Sequence, residues 1–152
     1  MNPKEEIEHL KATIAEYREI IKETSVPIIT SIIENTILLP IVGYTDKERM
    51  EQVRSKVLEY AGEHRGTEAA VFDFSSIRLA EDEGLEMLSL ELQLMRSELQ
   101  LMGIRPIMVG FTPPFVRQLV NAGVASEVES YANFKSALQV LMDEKGLSFS
   151  RA

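Results

Sequence analysis

Ala69-Ala70-Val71-Phe72-Asp73-Phe74 is an apolar run holding a single carboxylate, and Ser75-Ser76-Ile77-Arg78-Leu79-Ala80 and then Glu81-Asp82-Glu83 follow it. A short continuous apolar run of this kind reads as a buried strand. The next six residues predict a loop, and a long helix is expected from about Glu81 to Met102. Leu85, Leu88, Leu92, Met95, Leu99 and Met102 form one stripe at heptad spacing, with Met87, Leu90, Leu94 and Leu101 in a second stripe beside it. Two apolar faces on one helix predict burial on two sides, either deep in the domain or against a second molecule. Gly103 stops the helix, and Ile104–Gly110 is the next strand. Strand, helix, strand in this order argues a largely parallel or mixed sheet covered by helices.

Toward the N-terminus, Thr45-Asp46-Lys47-Glu48 has the capping-box pattern. The helix it starts runs to about Ala61, with Met50, Val53, Val57 and Ala61 inward and Gly62 as its stop. Before it, Ile28–Ile33 and Thr36–Val42 are β-branched runs around the turn-prone pair Glu34-Asn35, which predicts a hairpin. Pro40 donates no ladder bond and marks an edge or a bulge. Pro3 to Thr24 reads as one amphipathic helix, because Ile7, Leu10, Ile14, Tyr17 and Ile21 repeat at three and four residues. That is a short coiled-coil seam, with Glu6 and Lys11 placed to pair across two parallel chains. The alternative is a helix packed on its own domain. Ser25-Val26-Pro27 breaks it, since the residue before proline leaves the helical region.

Toward the C-terminus, Thr112-Pro113-Pro114 starts a short helix that Gly123 closes. Val128–Tyr131 is a candidate last strand and Asn133–Lys145 a final helix with Phe134, Leu138, Leu141 and Met142 inward. The organisation is an N-terminal amphipathic helix over residues 1–25, an α/β domain over residues 26–145 and a frayed tail over residues 146–152.

Composition narrows the chemistry. The 152 residues are 45% hydrophobic and 26% charged, the balance of one globular domain. There is no cysteine, so thiolate catalysis, disulfides and cysteine metal sites are excluded, and a cytoplasmic setting fits. His9 and His64 are the only histidines; both fall in polar, solvated settings, which leaves no catalytic triad and no histidine-rich metal site. A net charge of −8 argues against nucleic acid as partner. No apolar run approaches the roughly 18–20 residues of a membrane span, and Met-Asn-Pro-Lys-Glu-Glu is charged where a signal peptide turns apolar. Phosphate-cradling glycine patterns are missing, and prolines fill the turn Gly110-Phe111-Thr112-Pro113-Pro114 where such a loop would sit. No cofactor, metal site or catalytic residue is expected. Glu81-Asp82-Glu83 with Glu86 is the most noticeable polar feature. Taken alone it is what a helix N-terminus favours, by about 0.3–1 kcal/mol per exposed acid.

The arrangement Phe72-Asp73-Phe74-Ser75-Ser76-Ile77-Arg78-Leu79-Ala80-Glu81-Asp82 resembles the core motif of STAS domains, the anti-sigma-factor antagonist family, and most of all its stressosome members. Similar too are Val26-Pro27-Ile28, Leu38-Leu39-Pro40-Ile41-Val42-Gly43, Thr45-Asp46 with Arg49, and Leu101-Met102-Gly103-Ile104-Arg105-Pro106. Gly110-Phe111-Thr112-Pro113 and Leu119-Val120-Asn121-Ala122-Gly123-Val124 complete a set spanning Val26 to Met142. The resemblance implies a STAS-like mixed, mostly parallel sheet flanked by helices. It also implies a regulatory, non-enzymatic role in a partner-switching stress-response pathway. The partners would be a switch kinase or an anti-sigma factor and other STAS proteins, in a homodimer or larger assembly built on Ile7, Leu10, Ile14, Tyr17 and Ile21.

Two departures stand out. Where the family's stressosome members carry Asp-Thr or Asp-Ser, this chain has Glu81-Asp82, so the phosphoacceptor-like position holds no hydroxyl. A carboxylate carries one permanent charge where phosphate carries about −1.5 to −2. The span from Asp73 to Gly103 is also about four residues longer than usual, roughly one helical turn. Thr45, at the family's second phosphoacceptor region, and Ser75 and Ser76 are the remaining candidate hydroxyls. Asp73, Arg78, Glu83 and Glu86 are expected to bind the partner, on a surface made of Ser75–Ala80 and Glu81–Leu88. A different class of reading is a nucleotide- or lipid-binding sensor using the same loops as a pocket.

Overall fold

The computed structural model describes residues 2–24, 26–123 and 127–148, with the side chains of residues 19–24 outside the description. Among these the order is α1 (Pro3–Thr24), β1 (Ile29–Thr30), β2 (Thr36–Tyr44), α2 (Lys47–Glu63), β3 (Ala69–Arg78), α3 (Gly84–Leu101), β4 (Arg105–Val109), α4 (Pro113–Asn121), β5 (Ser130–Tyr131) and α5 (Phe134–Glu144). The strands lie in the order β1-β2-β3-β4-β5. β1 runs antiparallel to β2, and every later pair is parallel. The expected mixed, mostly parallel α/β sheet is therefore present.

Helices cover both faces, as a parallel sheet requires. On one face α2, α3 and α4 bury Met50, Val53, Val57, Leu88, Leu92, Met95, Leu99, Phe115 and Leu119 against Ile37, Leu39, Ile41, Phe72 and Phe74. On the other, α5 alone packs Ala137, Leu141 and Met142 on Val71, Ile107 and Val109.

Several boundaries differ from the sequence reading. The first hairpin strand shrinks to Ile29–Thr30, because Ser31 Oγ binds the backbone of Ile33 and diverts the chain into a turn; Asn35 there takes a left-handed φ of 63°. Asp46 caps α2, not Thr45: its Oδ1 accepts the Arg49 amide at 2.9 Å. Gly62 does not stop this helix, which runs on to Glu63 with its C-cap at His64. The segment Ser75–Arg78, expected in a loop, continues β3 alongside Val42–Tyr44. α3 begins at Gly84, after a turn at residues 81–83.

The continuation of β3 depends on Pro40. β1 pairs only with Ile37 and Leu38, so Pro40 lies beyond its end and is paired on the β3 side alone; it also sits at a register shift where Pro40 pairs with Asp73 and Val42 with Ser76. One residue of β2, Ile41, faces two of β3, Phe74 and Ser75, which is a β-bulge. Strand alternation would send Phe74 and Ile77 to opposite faces. The extra residue resets the alternation, and both pack on the α2–α4 side.

The α3 stripes also separate. Leu88, Leu92, Met95 and Leu99 are buried, whereas Leu90, Leu94 and Leu101 are 56%, 48% and 90% exposed, and Met102 is exposed as well. Of the second stripe only Met87 packs against the core; Leu90, Leu94 and Leu101 are not buried within the domain. Along α1, Ile7, Leu10, Ile14 and Tyr17 are 51–62% exposed, so the seam is uncovered in the single chain rather than packed on it. Ile21 lies outside the described side chains. Val124 and residues 149–152 also lie outside the description.

Candidate functional site

β2, β3 and β4 all run toward one end of the sheet, where α3 and α4 begin; in open α/β sheets this carboxyl end carries the sites. Asp73 is the last β3 residue paired with β4, opposite Val109. It is half-buried, and its Oδ1 accepts the Ser75 amide at 2.9 Å, so this carboxylate holds the backbone of the bulge. Gly110 lies directly against this knot: a Cβ there would meet Ser75 N at 2.7 Å and Asp73 Oδ1 at 2.9 Å, and its φ is +79°. Only glycine fits both the contact and the backbone.

Ser75, Ser76 and Arg78 are exposed along the free end of β3. Thr45 is 1% exposed; its Oγ1 donates to Gly43 O at 3.2 Å, and its amide donates to Arg78 O at 2.9 Å. Its amide, not its hydroxyl, ties β2 to β3 at this end of the sheet, and Ser75 and Ser76 are the candidate hydroxyls open to a second protein.

Glu81, Asp82 and Glu83 form the turn between β3 and α3, all exposed, and Glu86 is exposed in the first turn of α3. Glu83 occupies the N-cap position without a side-chain cap bond. Its carboxylate and those of Glu81, Asp82 and Glu86 therefore project near the positive end of the helix dipole, where negative charge is favourable. The turn is pinned by Gly84, whose amide donates to Ala80 O at 3.1 Å and whose Cα is so close to Leu79 that a Cβ would lie 2.6 Å from the leucine Cβ.

Between the residues that flank this turn lies a cavity of about 150 Å3, lined by Phe74, Ile77, Leu79, Leu88, Phe111 and Phe115 together with Gly110 and Thr112. Phe111 meets Phe115 edge-to-face at 4.8 Å and Phe74 at 5.8 Å. The sequence reading did not find this cavity. Its signal was the three-residue spacing of Phe74 and Ile77 beside a proline-marked strand. The structure thus brings Asp73, Ser75, Ser76, Arg78, Thr45 and the acidic turn to one end of the sheet. Among the described residues no cluster of three or more His, Asp or Glu could hold a metal ion, and no helix is long and apolar enough to cross a membrane.

No family model and no curated protein matches the sequence. Solved structures do. A serine-to-glutamate variant of RsbS from Moorella thermoacetica superposes with a TM-score of 0.65 at 17% identity, over 82% of this chain and 100% of that one. A chain from the molecular architecture of the stressosome, a signal integration and transduction hub, gives 0.59 at 14% identity over 78% and 98%. The Bacillus cell fate determinant SpoIIAA in its phosphorylated form gives 0.52 at 16% identity over 76% and 98%. The fold is that of STAS domains. The expected resemblance is confirmed in architecture. In this STAS fold the acidic turn Glu81–Glu83 occupies the connection from β3 to α3, and the bulge at Pro40 carries β3 out to meet it.

Proposed function

We propose that this chain is a non-catalytic regulatory module, an anti-sigma-factor antagonist or a stressosome-type scaffold, that docks a switch kinase or anti-sigma factor on the carboxyl end of its sheet. The observation that carries this reading is the exposed acidic turn Glu81–Glu83, set at the start of α3 in a STAS fold. Glu81 and Asp82 stand where the family's stressosome members place a hydroxyl, so the charge there is permanent and no kinase is needed to create it. The mechanism is electrostatic and steric: Asp82, with Glu83, Glu86 and Arg78, decides which partner surface approaches, and no covalent bond changes. Ser75 and Ser76 are exposed at the same end of the sheet, where phosphorylation would add further negative charge. The seam Ile7, Leu10, Ile14, Tyr17 and Ile21 joins two copies into a cytoplasmic homodimer or a larger assembly. A nucleotide or lipid is disfavoured at these loops, because the cavity there is about 150 Å3, whereas small-molecule sites occupy about 300–1,000 Å3.

The test is a titration of the purified switch kinase or anti-sigma factor with wild type and Asp82→Lys. Reversing the charge is expected to lower affinity by about tenfold or more, since a like-charge juxtaposition costs several kcal/mol, with the circular dichroism spectrum unchanged. Equal affinities would show that the docking surface lies elsewhere.

A further inference from the structure

We propose that the cavity between the residues flanking the acidic turn receives one aromatic side chain, a phenylalanine ring, from a basic segment of the partner protein. This rests on the docking reading above and names the chemistry that the docked segment must have.

Size argues first. At about 150 Å3 the cavity has the volume of engineered apolar cavities that take up benzene. It holds one ring and no extended ligand. Lining argues second. Phe74, Ile77, Leu79, Leu88, Phe111 and Phe115 present carbon to it. The hydroxyl of Thr112 already accepts the Phe115 amide as the N-cap of α4. An inserted ring would extend the edge-to-face set of Phe111 and Phe115 and cover the half-buried Phe111.

Charge decides the flanks. Leu79 and Leu88 both belong to the cavity wall, and Gly84 is packed on Leu79, so the exposed turn Glu81, Asp82 and Glu83 joins two stretches of that wall. A segment lowering a side chain into the cavity must pass these carboxylates on a chain of net charge −8. Lysine or arginine beside the aromatic residue is attracted there, and acidic flanks are repelled. A side chain anchored in a pocket, ringed by contacts that exclude water, is the usual arrangement of an interface hot spot.

Three peptides test this on the full chain: acetyl-Arg-Lys-Phe-Lys-Arg-amide, the same peptide with alanine for phenylalanine, and acetyl-Glu-Asp-Phe-Asp-Glu-amide. Binding is followed by amide chemical shifts. The basic phenylalanine peptide is expected to bind and to shift the amides of Leu79, Gly110 and Phe111. Replacing the ring by alanine should weaken binding by about tenfold or more, the worth of burying one aromatic side chain, and the acidic peptide should not bind. Leu79→Trp, which fills the cavity and leaves the carboxylates in place, should make the phenylalanine and alanine peptides bind alike; Ile77→Phe is a second filling variant should the first disturb the fold. Equal binding of the two basic peptides to wild type, with both weakened by Asp82→Lys, overturns the pocket and leaves the docking surface standing. No binding by any peptide overturns the pocket as well, and an Asp82→Lys protein with undiminished affinity for the kinase or anti-sigma factor then removes the docking reading too.

Discussion

Space for a side chain at position 110 is already taken by Ser75 and the carboxylate of Asp73. Any other residue there must adopt a left-handed backbone and also push the bulge away. Gly110→Ala is therefore expected to cost about 1–3 kcal/mol, read as a lower urea midpoint with an unchanged slope. Gly84 is constrained by contact alone, against Leu79, so Gly84→Ala should shift the acidic turn and the cavity wall together. Thr45 shows how a residue's surroundings redirect a role suggested by type. Its hydroxyl looked like a cap from the spacing to Glu48, but Asp46 takes the cap, and Thr45 instead closes β2 onto Arg78.

At the scale of elements, α3 is the most informative helix because its two apolar stripes have opposite fates. Leu92 is buried against the sheet, whereas Leu94, two positions on, is 48% exposed. Leu92→Ala is expected to destabilise by about 2–5 kcal/mol through lost burial and a cavity. Leu94→Gln should change stability by no more than about 0.5 kcal/mol. Paired urea denaturation curves separate the two. The α2–α3 contact holds a second dependence: Arg54 Nε lies 3.0 Å from the buried carboxylate of Glu91, and its guanidinium also binds Glu98. Burial alone would lower the Arg54 pKa, but Glu98 and Glu91 outweigh it and hold the charge on. Removing the partner by Arg54→Ala leaves Glu91 buried and unpaired, a change expected to cost about 3–5 kcal/mol in the same denaturation assay.

Across the whole molecule, Arg105 joins β4 to α5 and to the segment before β5, with Nε at 2.6 Å from Glu129 and an Nη at 2.6 Å from Glu144. Lys145 reaches Glu68 at 2.9 Å, so the amino-terminal end of the sheet is tied to the end of α5. Burial pushes the Glu129 carboxyl up, yet the hydrogen bonds from Arg105 and Tyr131 prevail and hold it below its ordinary value. The bonds from Arg105 and Lys145 likewise lower Glu144 and Glu68. A carboxylate lowered in the folded state adds stability above its unfolded pKa of about 4.3, and that stability is lost as pH falls through the folded value. Unfolding by urea at about pH 6 and about pH 3 should show a large loss in wild type and a smaller one in Arg105→Gln. Assembly is tested at the same scale by light scattering. The full chain is expected at twice its mass of 17.1 kDa or more, and a chain beginning at Ser25 at the mass of one copy.

What the sequence determined by itself was periodicity. Its β-branched runs and heptad stripes named the elements, their order and the mixed sheet, because burial of an alternating or helical face is written locally. The acidic cluster was legible for the same reason, since Glu81, Asp82 and Glu83 adjoin one another, although they were expected in the helix and lie in the turn before it. The tertiary structure decided what depends on neighbours distant in the chain. Pro40 could announce a bulge, but only the pairing of Pro40 with Asp73 and of Val42 with Ser76 showed that β3 runs on to Arg78 and turns Ile77 inward. The cavity needs residues from β3, α3 and the start of α4 at once. No local pattern holds that information, because the space is shaped by how the elements close on one another.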